Sequence, residues 1–284
     1  MLIDTHCHLD ADEFGGTQAD IVRDAQLAGV SRIVVPAVAR ANFDSVRSLC
    51  EQYPSCAPAY GIHPMYTDTA ICPHPSPLPQ VGEGANDSLR EYKINDLLVL
   101  RDYLQQHRPI AVGEIGMDFF INHYDQARQE FFFVEQLKLA CEFDLPVLLH
   151  IRKATDTILK HLRQHKVKGG IAHAFNGSRQ QADEFIKLGF KLGFGGAMTY
   201  LRATKLRELA TTLPLDSIVL ETDAPDIPPD FLERGQPNKP EYVSRIAHTL
   251  ATLRNMSLEE IAQATTANAF AVLPHLADYN RSPD

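Results

Sequence analysis

Two stretches, Asp144–Ala154 (DLPVLLHIRKA) and Gly169–Ser178 (GGIAHAFNGS), read alike: a short apolar run that closes on a histidine, His150 and then His173. Unbroken apolar runs of this length suit parallel strands covered on both faces. A helical stretch separates the two, so together they form one β/α repeat with a polar side chain at each strand exit. Extending the reading outward predicts strands at Leu2–Thr5, Arg32–Ala37, Ala57–Ile62, Pro109–Glu114, Pro146–His150, Gly170–His173, Lys191–Phe194 and Ser217–Thr222. Helical segments lie between them. One is TQADIVRDAQLAG, with Thr17 as N-cap and Gly29 as stop; others are ANFDSVRSLCEQY and HYDQARQEFFFVEQLKLACEF. Eight strands alternating with helices predict an α/β fold, a TIM-type β/α barrel with its active site at the C-terminal ends of the strands. Such barrels take about 250 residues, so residues 1–284 are expected to form one domain.

Two segments interrupt the rhythm. Residues 72–86, CPHPSPLPQVGEGAN, are crowded with Pro and Gly and read as a loop insertion after the third strand. After the last strand, APDIPPDFLERGQPNKP forms a Pro-rich loop before two helices, the second opened by Ser257 and Glu260 at capping-box spacing. The tail beyond Pro274 reads as dispensable.

The strand exits carry the chemistry. On an extended strand alternate side chains share a face, so in Asp4-Thr5-His6-Cys7-His8 the two histidines point together and Cys7 points away. An HxH alone is as readily a pair of ordinary strand-end histidines. The further exits change that balance: Glu114 in PIAVGEIGMDF, His150, His173, and Asp223 in SIVLETDAPD. Ionisable groups at the ends of buried strands are costly unless paired or bound to metal. At one barrel edge they converge on a single mouth. His6, His8, Glu114, His150, His173 and Asp223 are therefore the candidate ligands for two divalent ions (Mg²⁺, Mn²⁺ or Zn²⁺), with Glu114 as bridge. Two ions about 3.5–4 Å apart lower the pKa of a water and clamp the oxygens of an in-line displacement. Asp223 and Glu114 are the candidate catalytic groups, Asp223 also as acceptor of the water's proton. Asp4 and Glu221 are candidates to hold ligand imidazoles through their second ring nitrogen.

Further polar residues fall in the same layer. His63 in GIHP, and Arg152 and Lys153 beside His150, are candidate substrate contacts, the two cations for a phosphate oxygen. Equally ordinary roles exist: a turn histidine before Pro64 and a solvated helix start. Asn176 and Ser178 offer hydrogen bonds, or Ser178 caps the next helix. Gly193, Gly195 and Gly196 leave room for a ligand or a bend and form no nucleotide-binding fingerprint.

Composition narrows the rest. With 44 % apolar and 22 % charged residues, wholesale disorder is excluded. Five scattered cysteines without a CxxC pair argue against a disulfide framework and for a reducing cytoplasm. No window reaches the roughly 18 apolar residues of a membrane span. A net charge of −9 argues against salt-sensitive wrapping of long DNA, while bound dications still admit a phosphate substrate.

In its ordered motifs, DTHCHLD, GIHP, VGEIGMDF, LPVLLHIRKA, IAHAFNGS, ETDAPD, PNKPEYV and TTANAFAVL, the chain resembles the TatD family of metal-dependent deoxyribonucleases, part of the amidohydrolase-like barrels. The resemblance runs over nearly the whole chain. It implies a distorted TIM barrel, two divalent metals and phosphodiester hydrolysis, often of DNA from a 3′ end. The family's ligand pattern falls on His6, His8, Glu114, His150, His173 and Asp223 without substitution. There are two departures: Lys239 stands where the family usually has Glu in Asn-Glu-Pro, and the stretch at 72–86 is longer than usual. DNA or another phosphodiester is thus the expected partner, with no membrane and no protein partner. The alternative is hydrolysis of a small amide, lactone or ester, including the ester of an aminoacyl-tRNA, in the same barrel. A third possibility is a non-enzymatic barrel that keeps metal for stability alone.

Overall fold

The computed structural model describes residues 1–70, 95–120 and 125–279; the expected insertion at 72–86 lies outside them. Eight parallel strands follow one another around the sheet in chain order. They are β1 (Leu2–Asp4), β2 (Val30–Pro36), β3 (Cys56–Tyr60), β4 (Ala111–Asp118), β5 (Val147–Arg152), β6 (Gly170–Ala172), β7 (Phe190–Phe194) and β8 (Ile218–Leu220). The barrel closes where Thr5 N–H donates to Leu220 O, Asp223 N–H to His6 O and His8 N–H to Ala224 O, at 2.8–3.0 Å. Each predicted strand is present, and no helix among the described residues is long and apolar enough to cross a membrane.

Helices α1 (Gln18–Leu27), α2 (Phe43–Gln52), α3 (Asp96–His107), α4 (Gln126–Glu142), α5 (Thr155–Gln164), α6 (Arg179–Lys187), α7 (Thr204–Thr212), α8 (Val243–Arg254) and α9 (Leu258–Val272) lie between and after the strands. Ser178 and Ser257 form the capping boxes that start α6 and α9, each accepting from the backbone three residues on. Thr17 occupies the N-cap of α1 as predicted, but its hydroxyl donates back to Phe14 O at 2.5 Å and does not cap the helix.

The period-two alternation of the strands sorts their side chains. Ile3, Val34, Ala59, Leu148, Ile171 and Val219 meet in one apolar cluster, and α9 together with Leu273 and Leu276 joins that same cluster. Beyond these side chains, toward the strand C-termini, come the polar groups. The C-terminal segment is therefore part of the core and not dispensable: Leu276 is fully buried. Leu276→Ala is expected to cost about 2–5 kcal/mol, read as a lowered urea midpoint; an unchanged midpoint contradicts this role.

Strand β4 outruns its prediction, continuing past Glu114 to Asp118 with a register irregularity between Val112 and Ile115. Gly116 makes this possible. It pairs with His150 at φ +154°, and a Cβ there would sit 1.9 Å from His150 O. The two strands thus approach closely where β4 carries Glu114 and β5 carries His150.

Candidate metal centre

Every predicted ligand reaches the mouth. His6 and His8 sit on the segment that closes the barrel, two residues apart, while Cys7 between them pairs with Ala224 and is buried. Glu114 stands at the centre of the group, 2 % exposed. Its two oxygens face different partners. Oε2 lies 3.3 Å from His6 Nε2 and 3.4 Å from His8 Nε2. Oε1 lies 2.9 Å from His173 Nε2, 3.0 Å from His150 Nδ1 and 3.6 Å from His63 Nε2. Asp223 Oδ1 is 3.7 Å from both His6 Nε2 and His8 Nε2 and 3.9 Å from His173 Nδ1. Asp223 holds φ +60°, a left-handed turn directly after β8.

This donor set fits divalent cations. Neither ring nitrogen of His6 has a hydrogen-bond partner among the described residues, nor has His173 Nδ1, although both residues are buried. Buried imidazole nitrogens left unpaired are costly, and a cation removes the cost. Among the described residues, three groups of donor atoms lie within ligating reach of a shared ion: His6, His8 and Glu114; His6, His173 and Asp223; His63, Glu114 and His150. Neutral imidazole and carboxylate suit Zn²⁺, Mn²⁺ or Fe²⁺.

The charges balance around Glu114. Burial alone would raise its pKa, but the facing imidazoles of His63, His173 and His6 hold it well below the usual carboxylate range. Burial likewise opposes charge on His8 and His173, yet Glu114 and Asp223 lift them to about 9 and about 10. His6 is pushed down to about 3 by burial and then by His173. His8 and His173 are thus protonated at neutral pH and must lose those protons to ligate. Cation affinity is therefore expected to rise with pH up to about 9–10, with protons released below that range. Calorimetry in buffers of different ionisation enthalpy measures the release; an affinity flat from about pH 6 to about pH 9 contradicts the assignment.

The supporting shell differs from its prediction. Asp4 does not reach an imidazole. Its Oδ1 accepts from the backbone N–H of His6 at 3.2 Å and of Thr222 at 2.9 Å, and Oδ2 from the Thr222 hydroxyl at 2.6 Å. It therefore ties the end of β1 to the segment after β8. Glu221 Oε1 accepts from Ala174 N–H at 2.5 Å and stands 3.9 Å from His173 Nδ1, beyond hydrogen-bond reach. The carboxylate that does hold a ring is Asp118, which the sequence reading missed. Its Oδ2 is 3.3 Å from His150 Nε2, so His150 presents Nδ1 to Glu114. The missed signal is the spacing Glu114, Gly116, Asp118, which places both acids on one face of a strand.

His63 lies in the same layer but in a telling tautomer. Its Nδ1 accepts the Met65 N–H at 3.1 Å, so in the neutral ring Nε2 carries the proton, 3.6 Å from Glu114 Oε1 and beyond hydrogen-bond reach of it. That geometry separates it from the ligands it neighbours. Arg152 and Lys153 flank the mouth, exposed, with the Arg152 guanidinium 3.9 Å above the Phe120 ring and Lys153 Nζ 5.2 Å from it. Ser178 serves as the α6 cap and Asn176 is exposed on the rim. Asn238, preceding the departing Lys239, is buried and donates to Thr222 O, Asp226 O and Ile227 O at 2.8–3.1 Å, pinning the loop beyond Asp223.

The family described as TatD related DNase matches residues 3–274. Among curated relatives, an uncharacterized metal-dependent hydrolase, YjjV, of Escherichia coli K12 is 39 % identical over 273 residues, 95 % of this chain and 96 % of its own. An uncharacterized metal-dependent hydrolase of Haemophilus influenzae is 37 % identical, covering 94 % and 97 %. The crystal structure of the E. coli K12 YjjV protein, a TatD homologue, superposes with TM-score 0.84 at 38 % identity over 96 % of this chain and 98 % of that one.

Proposed function

This chain belongs to the family of TatD-related DNases, and from that premise we propose that it is a metal-dependent hydrolase cleaving phosphodiester bonds of DNA, at 3′ ends or in short single strands. The observation that carries the reading is the division of Glu114, one oxygen toward His6 and His8 and the other toward His150 and His173. A carboxylate divided in this way would hold one cation together with His6, His8 and Asp223 and a second together with His150 and His173. When bound, two such ions supply Lewis acidity and make a water acidic enough to ionise near neutral pH.

The chain's own groups do the rest. Asp223 is half-buried against the imidazoles, and desolvation there raises its pKa, which makes it a stronger acceptor for the proton of the attacking water. His63 donates from Nε2 toward an oxygen of the substrate, where negative charge grows as the bond breaks. Arg152 and Lys153 supply positive charge for flanking phosphate oxygens, and Phe120, half exposed between them, offers a face for stacking. This local positive edge lies on a chain of net charge −9, which favours short or terminal substrates over wrapped duplex.

His63→Ala is expected to lower kcat/KM roughly 100-fold, as loss of one donor to a developing oxyanion does, while metal content per chain stays the same. Loss of metal in that variant would make His63 a ligand instead. The reading as a whole is tested by nucleotide release from a labelled oligonucleotide with Mg²⁺ or Mn²⁺, alongside a panel of esters, lactones and amides. The control is the His150→Ala, Asp223→Ala double variant. Release by the parent and not by the variant supports the proposal. Equal release by both ends it, and turnover confined to the panel moves the substrate class to the small-molecule alternative.

A further inference from the structure

Strand β3 loses a neighbour just before it reaches the site. Its pairing with β4 is limited to Ala59 with Ala111 and Tyr60 with Val112. β4 then departs from it, and Glu114 N–H donates to Ala37 O, beyond the end of β2, at 3.0 Å. Gly61 permits that crossing, because a Cβ there would stand 2.8 Å from Gly113 C and 2.9 Å from Glu114 O. Ile62 is left buried, and among the described residues no backbone group pairs with its N–H or its carbonyl. Buried peptide groups need partners.

Helix α4 supplies both from one side chain. Gln136, fully buried, accepts the Ile62 N–H at Oε1 (2.6 Å) and donates from Nε2 to Ile62 O (3.0 Å). A carboxamide carries the donor and the acceptor of a peptide, so it stands in for the missing strand. The consequence falls on the next residue. Ile62 O and the His63 N–H belong to one planar peptide, and the N–H edge is tied to Val38 O at 2.8 Å. Both edges of the plane that carries His63 are thus fixed, one by Gln136 and one by the backbone after β2. Arg128 of the same helix donates to Thr67 O and Ala70 O at 2.6 Å each, which ties the chain beyond His63 as well. We propose that Gln136 is a positioning residue: by clamping the Ile62–His63 peptide it holds His63 Nε2 where it can donate to the substrate. This role rests on the donor function given to His63 above. Such a donor acts only at about 2.7–3.1 Å from the developing charge, so a small rotation of this peptide is felt in the chemistry and not in the loading of metal.

Gln136→Met, which keeps length and apolar burial but removes both bonds, is compared with His63→Ala and with the two combined. In Gln136→Met, kcat on a labelled oligonucleotide is expected to fall roughly tenfold with KM and metal content unchanged, short of the roughly 100-fold loss in His63→Ala. The combined variant should lose no more than His63→Ala alone, because a donor already absent cannot be misplaced. Leu276→Ala, which weakens the core without touching the site, should keep the parental kcat and so controls for lost stability. Independently of activity, nitrogen–proton correlation spectra of the metal-free protein read the His63 ring. The parent should show the single tautomer protonated at Nε2, and Gln136→Met should shift both ring nitrogens from those positions. If the methionine variant does not fold, Gln136→Glu replaces it, since its carboxylate still accepts the Ile62 N–H but cannot donate. Its kcat relative to the parent should then rise as pH falls and the protonated acid regains the donor. Losses that multiply in the combined variant, a fall in metal content, a parental kcat, or His63 signals unmoved in the folded variant each overturn the proposal. Shifted ring signals with no oligonucleotide hydrolysis by the parent keep the clamp and remove the phosphodiesterase reading.

Discussion

Glu114→Gln is expected to release the metal. The substitution keeps shape and removes the negative charge at the centre of the imidazole cluster. Its Oε1 stands 2.9–3.6 Å from three of the rings and its Oε2 within 3.4 Å of the other two. Five imidazoles then crowd a neutral amide, and an incoming cation loses the anionic oxygens that would face it from both sides of the cluster. Loss even of an outer partner of a metal ligand costs 10–100-fold in affinity, so loss of the bridge should cost at least about 100-fold. Metal analysis after dialysis reads this directly, and hydrolysis should fall to background with it. A variant that keeps the parental metal content would mean that Glu114 is a structural carboxylate.

Asp223→Asn separates chemistry from loading. Asn matches Asp in size and tolerates the left-handed backbone found at this position, φ +60°, so the fold should hold. What disappears is the base that receives the water's proton. General-base catalysis contributes about 10²–10⁴-fold, so kcat is expected to drop by about 10³-fold with KM little changed, while a cation that Glu114 and His150 would hold is expected to stay. Steady-state kinetics combined with metal analysis separates the two effects. A rise in KM at constant kcat would instead make Asp223 a substrate contact.

How much of this was legible depended on what each residue's signal is made of. His150 and His173 were visible because a polar side chain ending an apolar run is a local contrast, and local contrast survives in sequence. His6 and His8 were visible through strand periodicity. Asp118 was not, because Gly116 reads as the end of a strand. Only the close approach to His150 O reveals that β4 continues through it and carries a second acid to the same face. The role of Asp4 was misread for a related reason. Its partners, the backbone and hydroxyl of Thr222, lie at the far end of the chain and meet it only where the barrel closes. The tautomer of His63 depends on the direction of one N–H in the turn after Pro64, which residue types do not encode. Leu276 looked like the start of a tail because its partners, Ile3 and Val34 among them, come from strands of the distant N-terminal part of the chain.

Glu114 is expected to hold two cations between two sets of imidazoles. This expectation is tested most directly by crystals of the protein grown or soaked with Mn²⁺ and measured for anomalous scattering. Two peaks are expected about 3.5–4 Å apart, one within ligating distance of His6, His8 and Asp223, the other of His150 and His173, with a Glu114 oxygen on each. Peaks elsewhere on the barrel, or none at its mouth, would contradict it.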